Sequence, residues 1–285
     1  MFGFLNINKP KGITSHKVIS ILRKITGIKQ IGHAGTLDPI AQGVLPIAIG
    51  KASKLIDYMP QDKEYHASMY LGFISDTFDT EGKVEKTNSK KITIEEIEKA
   101  LNNFRGNISQ IPPAFSAVHY NGKRLYELAR KGNIPNDIQK RDITVYKNDI
   151  ISFDYDKQIL KLDIACSKGT YIRTIVNDLG TVLGSGAVMF ELIRTKSSGM
   201  DIENSFTLIE NTHLDDVKVK LINPIEVLQM NSLEVNDGEY KKLLNGNKFE
   251  NRSKFNGELL LTKKNNIISI AYADKEFIQP RKVLL

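Results

Sequence analysis

Apolar residues recur along this chain with two different periods. Val18, Ile21, Leu22 and Ile25 fall at i, i+3, i+4 and i+7, the spacing of one helix face. Thr14 or Ser15 is placed to cap that helix and Gly27 to stop it. Tyr65, Ala67, Met69 and Leu71 alternate instead, as do Leu160, Leu162, Ile164 and Cys166, and period two predicts strands with one buried face. Residues 44–49 form a short apolar run, read as a buried strand, and Leu55, Ile56 and Met59 predict a helix behind it. Thr93 with Glu96 three residues on has the pattern of a capping box. The helix it opens turns Ile94, Ile97, Leu101 and Phe104 inward and ends at Gly106. A further helix follows Ser167-Lys168-Gly169-Thr170, with Ile172, Ile175, Val176, Leu179 and Leu183 inward.

Strands and helices mix without a regular βαβ rhythm, which predicts an α+β fold with a mixed sheet rather than a doubly wound one. Near Asn223-Pro224 the pattern changes to short strand-like runs (258–262 and 267–272) and a terminal Pro280-Arg281-Lys282. The expected organisation is therefore a large domain over 1–222 and a small β-rich one over 223–285. A segment of about 60 residues is near the lower size limit for folding alone, so it is expected to dock on the larger domain. Asn121-Gly122 signals a tight turn and opens a basic amphipathic stretch, KRLYELARKG.

Composition narrows the class. Of 285 residues 41% are hydrophobic and 26% charged, a globular balance. No run approaches the roughly 18 to 20 apolar residues of a membrane span, and the N-terminus lacks the layout of a signal peptide, so a cytoplasmic protein is expected. Cys166 is the only cysteine, and His16, His33, His66, His119 and His213 show no metal-ligand pairing, which disfavours a metal enzyme. Forty basic against 33 acidic residues leave a net charge of +7, which points to a polyanionic partner, nucleic acid before membrane.

Candidate chemistry begins at Asp38, inside the segment GHAGTLDP (32–39). Gly32 and Gly35 permit close backbone approach there, and Pro39 limits the path after the carboxylate. An Asp-Pro alone is usually a turn cap, but His33 and Thr36 crowd the same loop, and polar loops on rigid scaffolds often carry catalysis. Tyr171 and Arg173 (KGTYIRT) lie off the apolar stripe of their helix, where a surface arginine and a packing tyrosine are the plain alternative. Lys9 in NKPKG reads by default as a solvated lysine, Tyr65 as core, and His33 as a structural histidine.

Taken in order, these segments resemble the TruB family of RNA pseudouridine synthases. The matching stretches are Asn8 to Gly12 with Thr14-Ser15, the GHAGTLDP loop, Gly43 to Gly50 and Lys63-Glu64-Tyr65. They continue with Ile111-Pro112-Pro113, Ser116 to Gly132, Cys166 to Arg173 and Asp178-Leu179-Gly180. The resemblance covers residues 3–200 and, more loosely, the tail. It implies a mixed-sheet catalytic domain followed by a small PUA-like RNA-binding domain, and isomerisation of a T-loop uridine of tRNA without metal or organic cofactor. It implies Asp38 as the catalytic aspartate, Tyr65 stacking on the target base and handling a proton, and Arg173 holding Asp38. His33 would enter the space vacated by the flipped nucleotide, Lys9 and Tyr171 would support the site, and Leu192 would wall the pocket. The stretch over 119–146 resembles the stand-alone bacterial form, which implies a monomer that recognises tRNA directly, without guide RNA. Lys123, Arg124, Arg130, Lys131, Lys140 and Arg141 would cover the RNA backbone, giving salt-dependent binding.

One departure stands out. The family's Leu-Arg-Arg-Thr reads Leu192-Ile193-Arg194-Thr195 here, and losing one arginine is expected to weaken a local RNA or loop contact. Two rival readings remain at this stage: an RNA-binding or RNA-folding protein in which catalysis is secondary, and a small-molecule enzyme with a phosphate loop at Lys168-Gly169-Thr170.

Overall fold

The computed structural model describes residues 1–284. The chain runs β1 (Gly3–Lys9), α1 (Ser15–Thr26), β2 (Ile31–His33), β3 (Ala41–Ile49), a 3₁₀ helix (Gly50–Tyr58), β4 (Lys63–Leu71) and a hairpin of β5 (Phe73–Ser75) and β6 (Val84–Lys86). It continues with α2 (Ile94–Leu101), β7 (Gly106–Gln110), the short hairpin β8 (His119–Tyr120) and β9 (Lys123–Arg124), and α3 (Leu125–Ala129). Then come β10 (Arg141–Asp154), β11 (Ile159–Cys166), α4 (Ile172–Val182), β12 (Ala187–Ser197) and β13 (Met200–Asp201). Two short helices, α5 (Leu214–Val219) and α6 (Pro224–Val227), lead to β14 (Ser232–Glu234), α7 (Asp237–Leu244), β15 (Phe249–Glu250), β16 (Gly257–Lys263), β17 (Asn266–Ala273) and β18 (Phe277–Val283).

Local chemistry sets the helix ends. Thr14 Oγ1 accepts from the Lys17 amide at 3.1 Å, and Gly27 closes α1 in the left-handed region at φ 70°. The Thr93–Glu96 capping box forms in both directions. The segment expected to be helical around Leu55 is a 3₁₀ helix, with Ala52 and Leu55 as its buried pair; that spacing of three suits the threefold period. The basic stretch after Asn121-Gly122 keeps only the five-residue α3.

The main sheet has nine strands in the order β1-β3-β12-β4-β11-β10-β7, with β2 paired to β3 and β13 to β12. Among the described residues its one parallel strand pair is β3–β12, in the register Leu192–Ala41, Ile193–Gln42 and Arg194–Gly43, so the sheet is mixed and the fold α+β. Gly43 sits where these strands meet, at φ 105°, and a Cβ there would strike the Arg194 carbonyl. The alternations in β4 and β11 put Ala67, Met69, Leu160, Leu162 and Ile164 into one core together with α1, α2 and α4.

The β1–β3 end of the sheet is covered on its other face as well. Leu5, Leu45 and Ile47 join the first core, while Phe4, Val44 and Ala48 enter a second one with Met200, Val227, Leu228, Leu260, Ile270 and Leu284. Burial on both faces accounts for the near-continuous apolar run of β3. Residues beyond 223 form a five-stranded sheet, β14-β16-β17-β18-β15. Its far side has its own cluster around Leu243, Phe249 and Ile278, but its near side shares the second core with the main sheet.

That shared core predicts joint unfolding. Leu228 is fully buried in it, and Leu228→Ala is expected to cost about 2–5 kcal/mol. Urea denaturation followed by far-ultraviolet dichroism and by a probe on β17 should give one coincident transition; two separate transitions would contradict a common core.

Candidate active site

The loop carrying Asp38 crosses between β2 and β3 and is held through its main chain. Ser15, buried at the start of α1, accepts from the Leu37 amide at 2.8 Å and donates to the Leu37 carbonyl at 3.0 Å. The Ala34 amide bonds the Pro46 carbonyl at 2.9 Å, and the Gly12 amide bonds that of Pro39 at 2.8 Å. From beneath, Arg194 of β12 donates Nε to the Val44 carbonyl (2.7 Å), Nη2 to Gly35 (3.1 Å) and Nη1 to Thr36 (3.4 Å). Its side chain is fully buried, beside Tyr65, its register partner across the β12–β4 pair. Ile193 alternates to the opposite face of β12, so the arginine that this chain keeps is the one that fastens the loop.

Arg173 closes the site from the other side. Its Nη2 pairs with Asp38 Oδ2 at 2.9 Å and its Nη1 with Asp79 Oδ2 at 3.5 Å. The same two nitrogens donate to the Phe115 carbonyl at 3.0 Å and the Thr77 carbonyl at 3.1 Å. The expected surface arginine is thus only 5% exposed, because the whole first turn of α4 is buried and not just its apolar stripe. Asp79, missed in the sequence, is equally buried and also accepts from Thr77 Oγ1 (2.6 Å) and the Glu81 amide (3.0 Å). Asp38 keeps a side-chain exposure of 38%. One carboxylate is therefore tied to the guanidinium yet open to a ligand, and the other serves as its buried counter-charge.

Lys9, the default solvated lysine, has no exposure. Its ammonium donates to the Pro10 (2.9 Å) and Ile13 (2.7 Å) carbonyls. Burial pushes it down to about 8, with the Asp38 charge opposing. Burial lifts the Tyr65 hydroxyl up to about 12, and the Arg194 guanidinium pulls the other way, so Tyr65 faces the site as a neutral phenol. His33 is lowered from its ordinary value by burial first and then by the charges of Arg194 and His16, and its Nδ1 is buried without a partner. The backbone of Tyr171 is held by the Gln110 side chain, which accepts from its amide at 2.7 Å and donates to its carbonyl at 3.0 Å. Leu192 is buried beside Ala41 and Ala67.

The basic residues of 119–146 lie apart from this cluster. Lys123, Arg130, Lys131, Lys140 and Arg141 are exposed. Arg124 is turned inward to the Ala117 carbonyl at 2.5 Å, and Arg130 lies over the Tyr126 ring at 5.4 Å. Tyr120 Oη donates to Asp137 at 2.6 Å, at one side of a cavity of about 350 Å³ that Lys140 and Arg141 also line. Among the described residues no helix is long and apolar enough to cross a membrane.

The mixed sheet beneath these residues is that of a pseudouridine synthase fold. The family model described as TruB family pseudouridylate synthase (N terminal domain) matches residues 23–172, and the chain belongs to that family. It is 41% identical to the tRNA pseudouridine synthase B of Clostridium tetani, over 98% of this chain and 94% of that one. It is 39% identical to the protein of the same name from Caldanaerobacter subterraneus subsp. tengcongensis, over 99% and 98%. Among solved structures, a chain in a Cbf5-Nop10-Gar1 complex matches the fold with a TM-score of 0.73 at 23% identity, covering 100% of this chain and 85% of that one.

The lysine burial carries a pH signature. With Lys9 near 8 in the folded chain and 10.5 as its ordinary value, the unfolded state holds the extra proton between those values, so stability gains from this group as pH rises from 8 to 10. Lys9→Met should flatten that rise relative to the unmutated protein in parallel urea titrations; an identical slope would place the ammonium in water. Arg194→Met, which strips two loop carbonyls and the Val44 carbonyl of β3 of their donor, should lower stability by about 3 kcal/mol or more and make the loop amides from Gly35 to Asp38 exchange faster with deuterium.

Proposed function

We propose that this protein converts the uridine at position 55, in the T-loop of tRNA, to pseudouridine, with Asp38 as the catalytic group. Isomerisation of tRNA uridine is the activity of the family to which the chain belongs. The observation that carries the assignment to this site is the Asp38–Arg173 pair at 2.9 Å, with Asp38 the open member. The reaction breaks N1–C1′, turns the uracil and joins C5 to C1′. C5 loses a proton and N1 regains one, so nothing is gained or lost overall, and neither metal nor organic cofactor takes part in this reading.

Each residue has a part suited to its chemistry. The Asp38 carboxylate attacks the sugar or the base, or removes a proton from the sugar, and Arg173 keeps it aimed while Asp79 balances the guanidinium. The target uridine leaves its stack at a cost of a few kcal/mol, and the Tyr65 ring receives its face. The phenol, kept protonated by burial, can pass a proton only as a hydrogen-bonded relay, with Arg194 as its charged partner. His33, neutral and with a free ring nitrogen, enters the gap left in the RNA. Lys9, Tyr171 and Leu192 shape the pocket.

The exposed lysines and arginines of 119–146 cover the RNA backbone, and the C-terminal sheet serves as a PUA-like RNA-binding domain. The protein acts on tRNA directly, as a monomer in the cytoplasm and without guide RNA. The resemblance of 119–146 to the stand-alone bacterial form and the match of bacterial proteins named tRNA pseudouridine synthase B over nearly the whole chain support that reading.

Incubation with unmodified tRNA transcript in EDTA should yield pseudouridine at a single T-loop position. Asp38→Asn should reduce the rate by about a thousandfold or more while leaving RNA affinity within about threefold of the unmutated protein. Tight binding without conversion by the unmutated protein would favour the RNA-folding reading instead.

A further inference from the structure

Lys63 is a cation for which the site as described has no use. It opens β4 two residues before Tyr65, so the two side chains leave the same face of the strand. Its register partners are Cys166, the last residue before the Ser167–Thr170 turn, and Ser197 on β12. Its stem runs under the Asp38 loop, with Cε 3.2 Å from where a Cβ of Gly35 would stand. Gly35, at φ 103°, thus gives the lysine room to lie against the loop.

At the tip, the ammonium is poorly provided for. Among the described residues the Gln61 carbonyl accepts from it at 2.9 Å and no other hydrogen-bond partner stands beside it. Among the described residues no carboxylate lies within ion-pair distance of Nζ. The neighbouring Asp62 carboxylate instead accepts from Tyr146 Oη at 3.1 Å. Burial pushes Lys63 down to about 8, and the charges of Arg194 and Lys168 add to that, against Cys166 and Asp62. A half-buried cation that faces two others and has no carboxylate partner has donors to offer an incoming anion.

We propose that Lys63 is a phosphate-binding residue of this site, gripping a phosphodiester of the RNA strand beside the flipped uridine, with Lys168 as the second positive charge. The inference rests on the RNA-modifying reading of Asp38 and Tyr65 given above. It places the lysine on the backbone of the extruded nucleotide rather than on its base, because an ammonium complements a phosphate charge while the Tyr65 ring is the face offered to the base.

Kinetics and binding with a T-arm hairpin test this over a series of salt concentrations. Lys63→Gln should weaken Kd and raise KM about tenfold and make the slope of log K against log salt shallower by about 0.7 to 0.9, the share of one phosphate. Its rate at saturating RNA should stay within about threefold of the unmutated enzyme, since the lost contact positions the strand. Lys63→Arg should restore the slope. In the unmutated protein, hairpins carrying one neutral methylphosphonate at a time should show a single sensitive linkage next to the target uridine, and that linkage should lose its effect in Lys63→Gln.

An unchanged salt slope, or a methylphosphonate penalty equally large in both proteins, would overturn the proposal. So would a loss of rate at saturation with unchanged Kd, the mark of a purely structural lysine. If Lys63→Gln does not fold, the linkage scan on the unmutated protein still decides, and a scan that is flat around the uridine refutes it. Failure of the unmutated protein to convert any hairpin would refute the RNA-modifying reading itself, a result separable from conversion with an indifferent Lys63.

Discussion

A guanidinium sealed from water must find acceptors for its N–H groups or the fold loses several kcal/mol. Arg194 finds them in the carbonyls of Val44, Gly35 and Thr36. Those acceptors belong to strand β3 and to the Asp38 loop, so a single side chain sets the height of the loop above the sheet. Gly43 allows it: only a residue without Cβ lets β3 close against β12 at that register. The position of Asp38 is thus a consequence of sheet pairing, reinforced by the Ser15 contacts and by the main-chain bonds of Ala34 and Gly12.

Arg173 supplies the other half of the arrangement with opposite logic. It is nearly as buried but paired with two carboxylates, one buried and one open. A lone buried Asp–Arg pair would leave little charge to spare for a substrate, since each would be spent on the other. The second carboxylate, Asp79, meets the cost of burying the cation, which leaves Asp38 oriented and still approachable. The clamp also joins the loop to the turn at 77–79 and to the segment at Phe115, which leads into the basic stretch at 119–146.

Much of this was legible in the sequence, and the exceptions follow a pattern. The alternation in β4 and β11, the caps of α1 and α2 and the Asp38 loop are local signals, written in residues a few positions apart. Asp38, Tyr65 and Arg173 could be named because the GHAGTLDP, KEY and KGTYIR segments match a known family. Periodicity misjudged Arg173 and Lys9, because a charged residue reads as surface unless its distant partners are known. Asp79 lay in a polar turn with nothing to set it apart. Arg194 was visible only as the survivor of a degraded motif, and its importance depends on a parallel strand pairing across 150 residues that no window of sequence reveals.

The second core has a consequence for how the protein comes into being. Phe4, Val44 and Ala48 are sealed by Leu228, Leu260, Ile270 and Leu284, so the earliest strands made on the ribosome wait for the latest. During synthesis the back of the β1–β3 pair stands as a bare apolar surface, close behind a loop already carrying Asp38. Contacts spanning so much chain form slowly, and uncovered strands of this kind are prone to associate with one another. Translation through the last sixty residues therefore governs when the protein becomes safe in solution, and an interrupted chain would present the cell with a nearly whole enzyme that has a sticky back.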